Sequence, residues 1–334
     1  MRNFNRRQFG LGSAGFGAAT ILPIPSVLAA DPPPETKSIR LKKSSAICFA
    51  PYYVVEAFLR AEGFEEVQYI ESEASENSAR LMDNGELHFD QDFAGRIIYD
   101  LDNDRQITAL GGLHVGCYEL FAREPINTIT DLKGKRVGIN DFHWGEHLYI
   151  SVMASYVGLD PKRDIEFVTP ETGSPLEMFA EGKTDAFLGF PPEPQILRAR
   201  GHSRVILSTV LDSPWSQYFC CVMFGNRAWI RDHPVATKRY LRAIYRAAEF
   251  CTANPSSAAR QLVDGGYVER YEYALETIKL IPYDLWHEYD AEDTMRFFAL
   301  RLYDAGFLKN PPNALIAEGT DWRFLDELKR EMKT

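Results

Sequence analysis

The side chains with the most chemistry to offer in this 334-residue chain lie in short loops rather than in a spaced catalytic motif. Asn140-Asp141-Phe142-His143-Trp144-Gly145 opens a helix-like run. Unsatisfied amides at 142–145, with the helix dipole behind them, could hold a carboxylate, sulfonate or phosphate. Asp141 complicates that reading: it either caps the helix from outside or contacts the ligand, and in the second case it repels a small inorganic anion. Tyr52 and Trp215 offer rings with a polar handle, for stacking on a planar guest or for packing. His114 and His143 are either ligand contacts or hydrogen-bonded loop residues. Glu193, set between prolines, is placed to meet a cationic or N–H donor group unless it is simply an exposed loop acid. The set expected to bind a small molecule is Tyr52, Gln91, Asp92, His114, His143, Trp144, Glu193, Trp215 and Tyr218. Trp286-His287-Glu288-Tyr289-Asp290 is chemically inviting, but in a helical tail it reads as packing. No Ser/His/Asp or metal-ligand spacing emerges, so catalytic residues, metal and cofactor are all expected to be none.

Five cysteines, at 48, 117, 220, 221 and 251, form an odd set with one adjacent pair and no C-x-x-C. Zinc and thioredoxin chemistry are therefore unsupported by spacing. Each lies in an apolar run, so buried free thiols are expected, with one or two disulfides as the alternative in an oxidising compartment.

The elements that must position these loops alternate between strand and helix. An apolar run at 45–50 stopped by Pro51 reads as a strand, 52–62 as a helix, 66–70 as a strand and 77–84 as a helix ending at Gly85. A third strand at 87–90 precedes a helix over 92–101, with the 90–93 segment as the loop between them. Further apolar runs span 107–113 and 119–121. A second series opens at 136–139, continues with a helix over 144–157 and a strand at 165–168, and repeats helix and strand at 175–181 and 186–188. Apolar runs at 205–211 and 218–224 return the chain to a helical tail, where Pro255 suits a first helical turn. Two βα series imply an α/β protein with largely parallel sheets. About three hundred residues exceed what one core usually serves, so two lobes are expected.

The first thirty residues look like a targeting segment. Arg6-Arg7-Gln8-Phe9-Gly10 precedes a weakly apolar Gly/Ala/Leu/Ile run that ends in Val27-Leu28-Ala29-Ala30. The arginine pair resembles a twin-arginine signal, with an ordinary secretory signal as the alternative. Glycines and prolines interrupt the run well short of the ~20 apolar residues of a membrane span. No cysteine marks a lipoprotein cleavage point. Cleavage removes three arginines and no acid, taking the formal charge from -10 to -13, and so acidic a chain is expected to have no nucleic-acid partner.

Three stretches then carry a family resemblance. Ile129-Thr130-Asp131-Leu132-Lys133-Gly134-Lys135-Arg136-Val137-Gly138-Ile139 opens the second series, and Gly134 permits its tight turn. Met178-Phe179-Ala180-Glu181-Gly182-Lys183-Thr184-Asp185-Ala186 ends a helix at Gly and enters a strand through Asp-Ala, and 81–89 follows the same logic. His233-Pro234 through Asn254-Pro255 supplies a long helix. In this order they resemble the nitrate, sulfonate and taurine branch of periplasmic solute-binding proteins, which includes thiamine-pyrimidine precursor binders.

The resemblance implies a two-lobe type II periplasmic binding protein fold, each lobe a mixed sheet flanked by helices. Lobe one would hold 37–113 plus 211–334 and lobe two 117–210, with crossing strands near 107–121 and 205–224. It implies a monomer in the periplasm that is not an enzyme, serving an inner-membrane ABC permease and its ATPase. The ligand would be a small organic anion or an aromatic or heterocyclic solute. The alternatives are a periplasmic ligand sensor, and an enzyme similar to the thiamine-pyrimidine synthase, whose iron site lies near a cysteine-rich segment that Cys220-Cys221 faintly resembles. In the expected mechanism the guest stacks on Tyr52 or Trp215 and is gripped by His114 and the 142–145 amides as the lobes close.

Overall fold

The computed structural model describes residues 31–332 apart from Ser45, residues 72–76 and Ser203. The arginine pair and the rest of the 1–30 leader lie outside the described residues. Among the described residues no helix is long and apolar enough to cross a membrane.

Among the described residues, ten strands build two five-stranded sheets. The first contains β1 (Ser38–Lys42), β2 (Glu66–Ile70), β3 (Phe89–Phe93), β4 (Ile107–Val115) and β10 (Phe219–Asn226), in the order β2-β1-β3-β10-β4. The second contains β5 (Glu119–Ala122), β6 (Lys135–Gly138), β7 (Ile165–Val168), β8 (Ala186–Gly189) and β9 (Val205–Ser208), in the order β7-β6-β8-β5-β9. The two follow one plan. β1 runs parallel to β2 and β3, and β6 parallel to β7 and β8, while β10 and β5 are antiparallel to the strands they join. Each antiparallel strand is the one that has just crossed from the other sheet. Helices flank both, giving the two-lobe α/β architecture that the alternation of elements implied.

The sequence misled in one place that matters for the site. The first strand is Ser38–Lys42, where Ile39 and Leu41 are buried and the residues between them are half-buried. The apolar run expected as that strand instead forms a 3-10 turn, Ile47–Phe49, and a short helix, Ala50–Val54, with Pro51 in its first turn. Continuous apolar character fits a buried helical turn as well as a strand, and its length could not decide between them. The strand β3 likewise runs on through Gln91 and Asp92, which were expected in a loop. Three helices, Pro161–Asp164, Glu193–Ala199 and Pro312–Gly319, were not anticipated.

The lobes are tied at the crossing after β4. Gly116 takes a φ of 60°, and a Cβ there would fall 2.5 Å from the Val210 backbone. Cys117 follows with a φ of 142°, a conformation that costs a non-glycine residue energy and persists only where its surroundings enforce it. The enforcing group is Thr209, fully buried on the returning crossing. Its Oγ1 accepts from the amides of Cys117 at 3.1 Å and Tyr118 at 2.9 Å, and its hydroxyl donates to the Tyr118 carbonyl. Helix Gly145–Tyr156, buried along most of its length, packs against helices Ala94–Asp102 and Ala291–Asp304 of the first lobe.

Thr209→Val keeps the shape and removes the acceptor, leaving two buried amides unpaired. A loss of about 2–4 kcal/mol in unfolding free energy is expected, read by urea denaturation against the unmodified chain.

Candidate functional site

Open α/β sheets bind ligands outside the carboxyl ends of their parallel strands. Here those ends, of β1 and β3 on one side and β6 and β8 on the other, open onto one cavity of about 580 Å³. Its walls come from both lobes. β3 contributes Asp90, Gln91, Asp92 and Phe93; the loop after β6 and the following helix contribute Asn140, Trp144 and Glu146; the segment after β8 contributes Phe190 and Glu193. The lobes also touch at its edges, where Arg96 donates to the His143 carbonyl at 2.9 Å and the Ile47 amide donates to the Pro191 carbonyl at 3.1 Å.

The cavity is lined by five carboxylates, at 71, 90, 92, 146 and 193, against three basic side chains, at 42, 43 and 96. Lys43 pairs with Glu71 at 2.8 Å and Arg96 with Asp100 at 3.0 Å. Burial raises the pKa of Asp90 to about 6 although Ser78 Oγ donates to it at 2.5 Å. Burial also raises Asp92 and Glu146. Glu146 accepts from Asn140 Nδ2 at 2.9 Å through one oxygen, while the other has no partner. Glu193, in the first turn of its helix, accepts from the Phe190 amide at 3.1 Å, yet burial and then the nearby Glu146 push its pKa up to about 8. Gln91 is 1% exposed, and neither its amide nitrogen nor its amide oxygen has a partner.

Of the nine residues expected from sequence, Gln91, Asp92, Trp144 and Glu193 line this cavity. The other five sit elsewhere. Tyr52 is fully buried and its hydroxyl donates to the Phe89 carbonyl at 2.6 Å, because the segment expected as the loop after the first strand is a helix. Trp215 is buried against Tyr149, Tyr156 and Phe297, and Tyr218 stacks on Phe297 at 4.0 Å. His143, with a φ of 67°, stacks on Tyr99 at 5.0 Å. His114 lies in the buried core beside the cavity floor rather than on its wall.

The amides at 142 and 143 are taken by their own neighbours. Phe142 donates to Asp141 Oδ1 at 2.7 Å, and His143 donates to His147 Nδ1 at 2.9 Å. Asp141 is exposed and holds only the neighbouring Phe142 amide, the helix starting from Trp144 without a side-chain cap, whereas Glu146 places a carboxylate in the first helical turn inside the cavity. Trp286 stacks on Tyr245 at 3.9 Å, in keeping with a packing role.

Sequence reasoning missed the floor. Cys48, Cys117 and Cys221 line it, delivered by the turn Ile47–Phe49, the crossing and β10. All five cysteines are free and buried, and four of them converge. The register of β10 sets Cys221 opposite both Phe93 and His114. Burial works against charge on His114, but the adjacent Cys221 and Cys48 sulfurs outweigh it and raise its pKa to about 10.

This pair of sheets, joined by two crossings around a cleft, is the periplasmic binding protein fold. The chain belongs to the NMT1/THI5-like family, whose description matches residues 48–258. It is similar to the periplasmic nitrate-binding protein NrtA from Synechocystis PCC 6803, with a TM-score of 0.75 and 13% identity over 90% of both chains. The alkanesulfonate-binding protein SsuA from Xanthomonas axonopodis pv. citri, bound to MOPS, gives 0.68 at 13% identity over 86% of this chain and 99% of that one. A desulfurization enzyme, DSZB, shares the fold at 0.57 and 16% identity over 89% and 100%. No curated protein matches the sequence significantly.

Glu193 binds a proton more tightly folded than unfolded, so its contribution to stability falls as pH rises from about 4.5 to about 8. Glu193→Gln removes that loss. After allowance for cleft solvent, the variant should be more stable than the parent by roughly 2–3 kcal/mol at pH 9, with the gap closing by pH 4.5 in paired thermal melts.

Proposed function

We propose that this chain is the exported solute-binding component of an ABC importer, working as a monomer in the periplasm. It closes lobe one (37–113 plus 211–334) on lobe two (117–210) around a small nitrogen heterocycle. It then presents that molecule to an inner-membrane permease with its ATPase. The twin-arginine-like leader and the family support export, and the nitrate- and sulfonate-binding neighbours support transport.

One observation carries the choice of guest: the partnerless Gln91 amide, deep in a cavity walled by carboxyl groups with raised pKa. An amide that offers one donor and one acceptor side by side is satisfied by a planar ring edge bearing the same pair reversed. Glu193, protonated at neutral pH, adds a donor, and Asp90 adds an acceptor for a ring amine. Phe93, Tyr118, Trp144 and Phe190 supply apolar faces around the ring. A small inorganic anion finds the opposite of what it needs, because Glu146 already occupies the helix start and the surplus of carboxylates repels it. Differential affinity for the closed form then sets how far the guest shifts the lobes.

A thermal-shift and calorimetry series with a 4-aminopyrimidine, taurine and nitrate tests this, alongside native mass spectrometry of whatever small molecule co-purifies. The aminopyrimidine should stabilise the protein and the two anions should not. Gln91→Leu should weaken its binding by roughly ten- to a hundredfold. Taurine or nitrate binding that survives Gln91→Leu unchanged excludes the heterocycle reading, and turnover of the guest by the purified protein excludes transport alone.

A further inference from the structure

Beneath the cleft floor, three ligand atoms meet that are far apart in sequence. Cys48 Sγ, a ring nitrogen of His114 and Cys117 Sγ all lie within 4.8 Å of one another, and all three residues are buried. A second set, Cys117, Cys220 and Cys221, satisfies the same limit and shares Cys117.

The imidazole distinguishes the two. His114 is 1% exposed, and its Nδ1 lies 3.0 Å from the Gly116 carbonyl and 3.3 Å from that of Val115, which fixes the N–H on that side. Nε2 is left buried with no hydrogen-bond partner. A histidine with one nitrogen donating to a backbone carbonyl and the other buried and unpartnered, its ring grouped with two cysteines, has the form of an oriented metal ligand. In the second set, the Cys117 and Cys220 sulfurs already contact each other at 3.6 Å.

The scaffold holds all three ligands in place. The amide of Cys117 is pinned by Thr209, and its φ of 142° is a strained conformation of the kind that gathers at functional sites. The Cys48 carbonyl accepts from the Tyr283 hydroxyl at 3.0 Å, and its neighbour Ile47 is anchored to Pro191 in the other lobe. His114 lies in β4 opposite Cys221 of β10.

We propose that Cys48, His114 and Cys117 form a binding site for one thiophilic closed-shell cation, of the Cu(I) or Zn(II) class. Two thiolates and an imidazole select such ions over Mg(II) or Ca(II), which require oxygen ligands. On binding, the ion replaces the thiol protons of Cys48 and Cys117 and any proton on His114 Nε2. These are released to solvent, and no electron is transferred. Cys48 and Cys117 also line the cleft cavity, which supplies the path of entry. The site does not depend on the identity of the organic guest.

The test titrates the full chain, purified reduced and without oxygen, with Zn(II) in one arm and Cu(I) in the other, each against a competing chromophoric chelator. One equivalent should be retained in at least one arm. X-ray absorption at that metal should show a mixed shell of two sulfurs and one nitrogen. Cys48→Ser and His114→Gln should each weaken retention by roughly tenfold or more, while Cys220→Ala leaves it within about threefold. Because the absorption spectrum is read on the unsubstituted chain, poor folding of a variant does not blunt the test. Three results overturn the proposal: no ion retained in either arm, an all-sulfur shell, or binding lost in Cys220→Ala but kept in His114→Gln. None of these bears on aminopyrimidine binding, so the two readings fail separately.

Discussion

The molecule turns on the hydroxyl of Thr209. Two chain crossings join the sheets, and between them a single buried oxygen accepts from the amides of Cys117 and Tyr118. Without it those amides would be buried and unpaired, a state that native structures avoid. Because the oxygen is there, Cys117 can hold a backbone conformation that few non-glycine residues adopt. Its thiol is then presented to the cleft floor and Tyr118 to the cleft wall. The crossing thus connects the lobes and also positions part of the site.

The shared sheet plan does the rest of the positioning. In each lobe the four strands that run the same way end on the cleft side, so the residues just past β1, β6 and β8, and those at the end of β3, face the same cavity. The strand arriving from the other lobe runs antiparallel, so it is its beginning, not its end, that lies there. That is why Cys220 and Cys221, at the start of β10, come to lie beside the end of β4 and His114. Asp90 and Glu146 are buried within this frame and Asp92 and Glu193 half-buried, and loss of solvent raises the pKa of all four carboxyl groups.

Much of the architecture was legible in the sequence because alternation and helical spacing are local properties. The second series, with Gly134 at its turn and helix Gly145–Tyr156 after it, follows the expected pattern closely. The first strand was not legible: Ser38–Lys42 carries Arg40 and Lys42, and only its alternation marks it, whereas the more apolar run beside it forms helical turns. That one misplacement moved the expected loop onto Tyr52, whose side chain the structure spends on the core. Gln91, Asp92, Trp144 and Glu193 were visible as polar or amphipathic residues near strand ends. The floor was invisible for a different reason. Cys48, His114, Cys117 and Cys221 come from separate elements, so no spacing rule joins them until the crossing brings them together.

The cleft is built at a cost to the empty protein. A glutamine amide with no partner, a carboxylate oxygen with none, and carboxyl groups forced toward their neutral form each destabilise the fold. Other buried polar groups around the cleft, those of Tyr52, Thr209 and Asp90, do find partners. Tyr245, Thr184 and Trp286 also bury a polar atom without a partner away from the cleft, but where two lobes meet around a cavity the location gives the penalty a use. A molecule that supplies the missing donors and acceptors offsets it, and a molecule lacking them leaves buried polar atoms unpaired. Discrimination of that kind is steeper than a purely apolar pocket can reach. The same groups that weaken the empty cleft therefore define what it will accept.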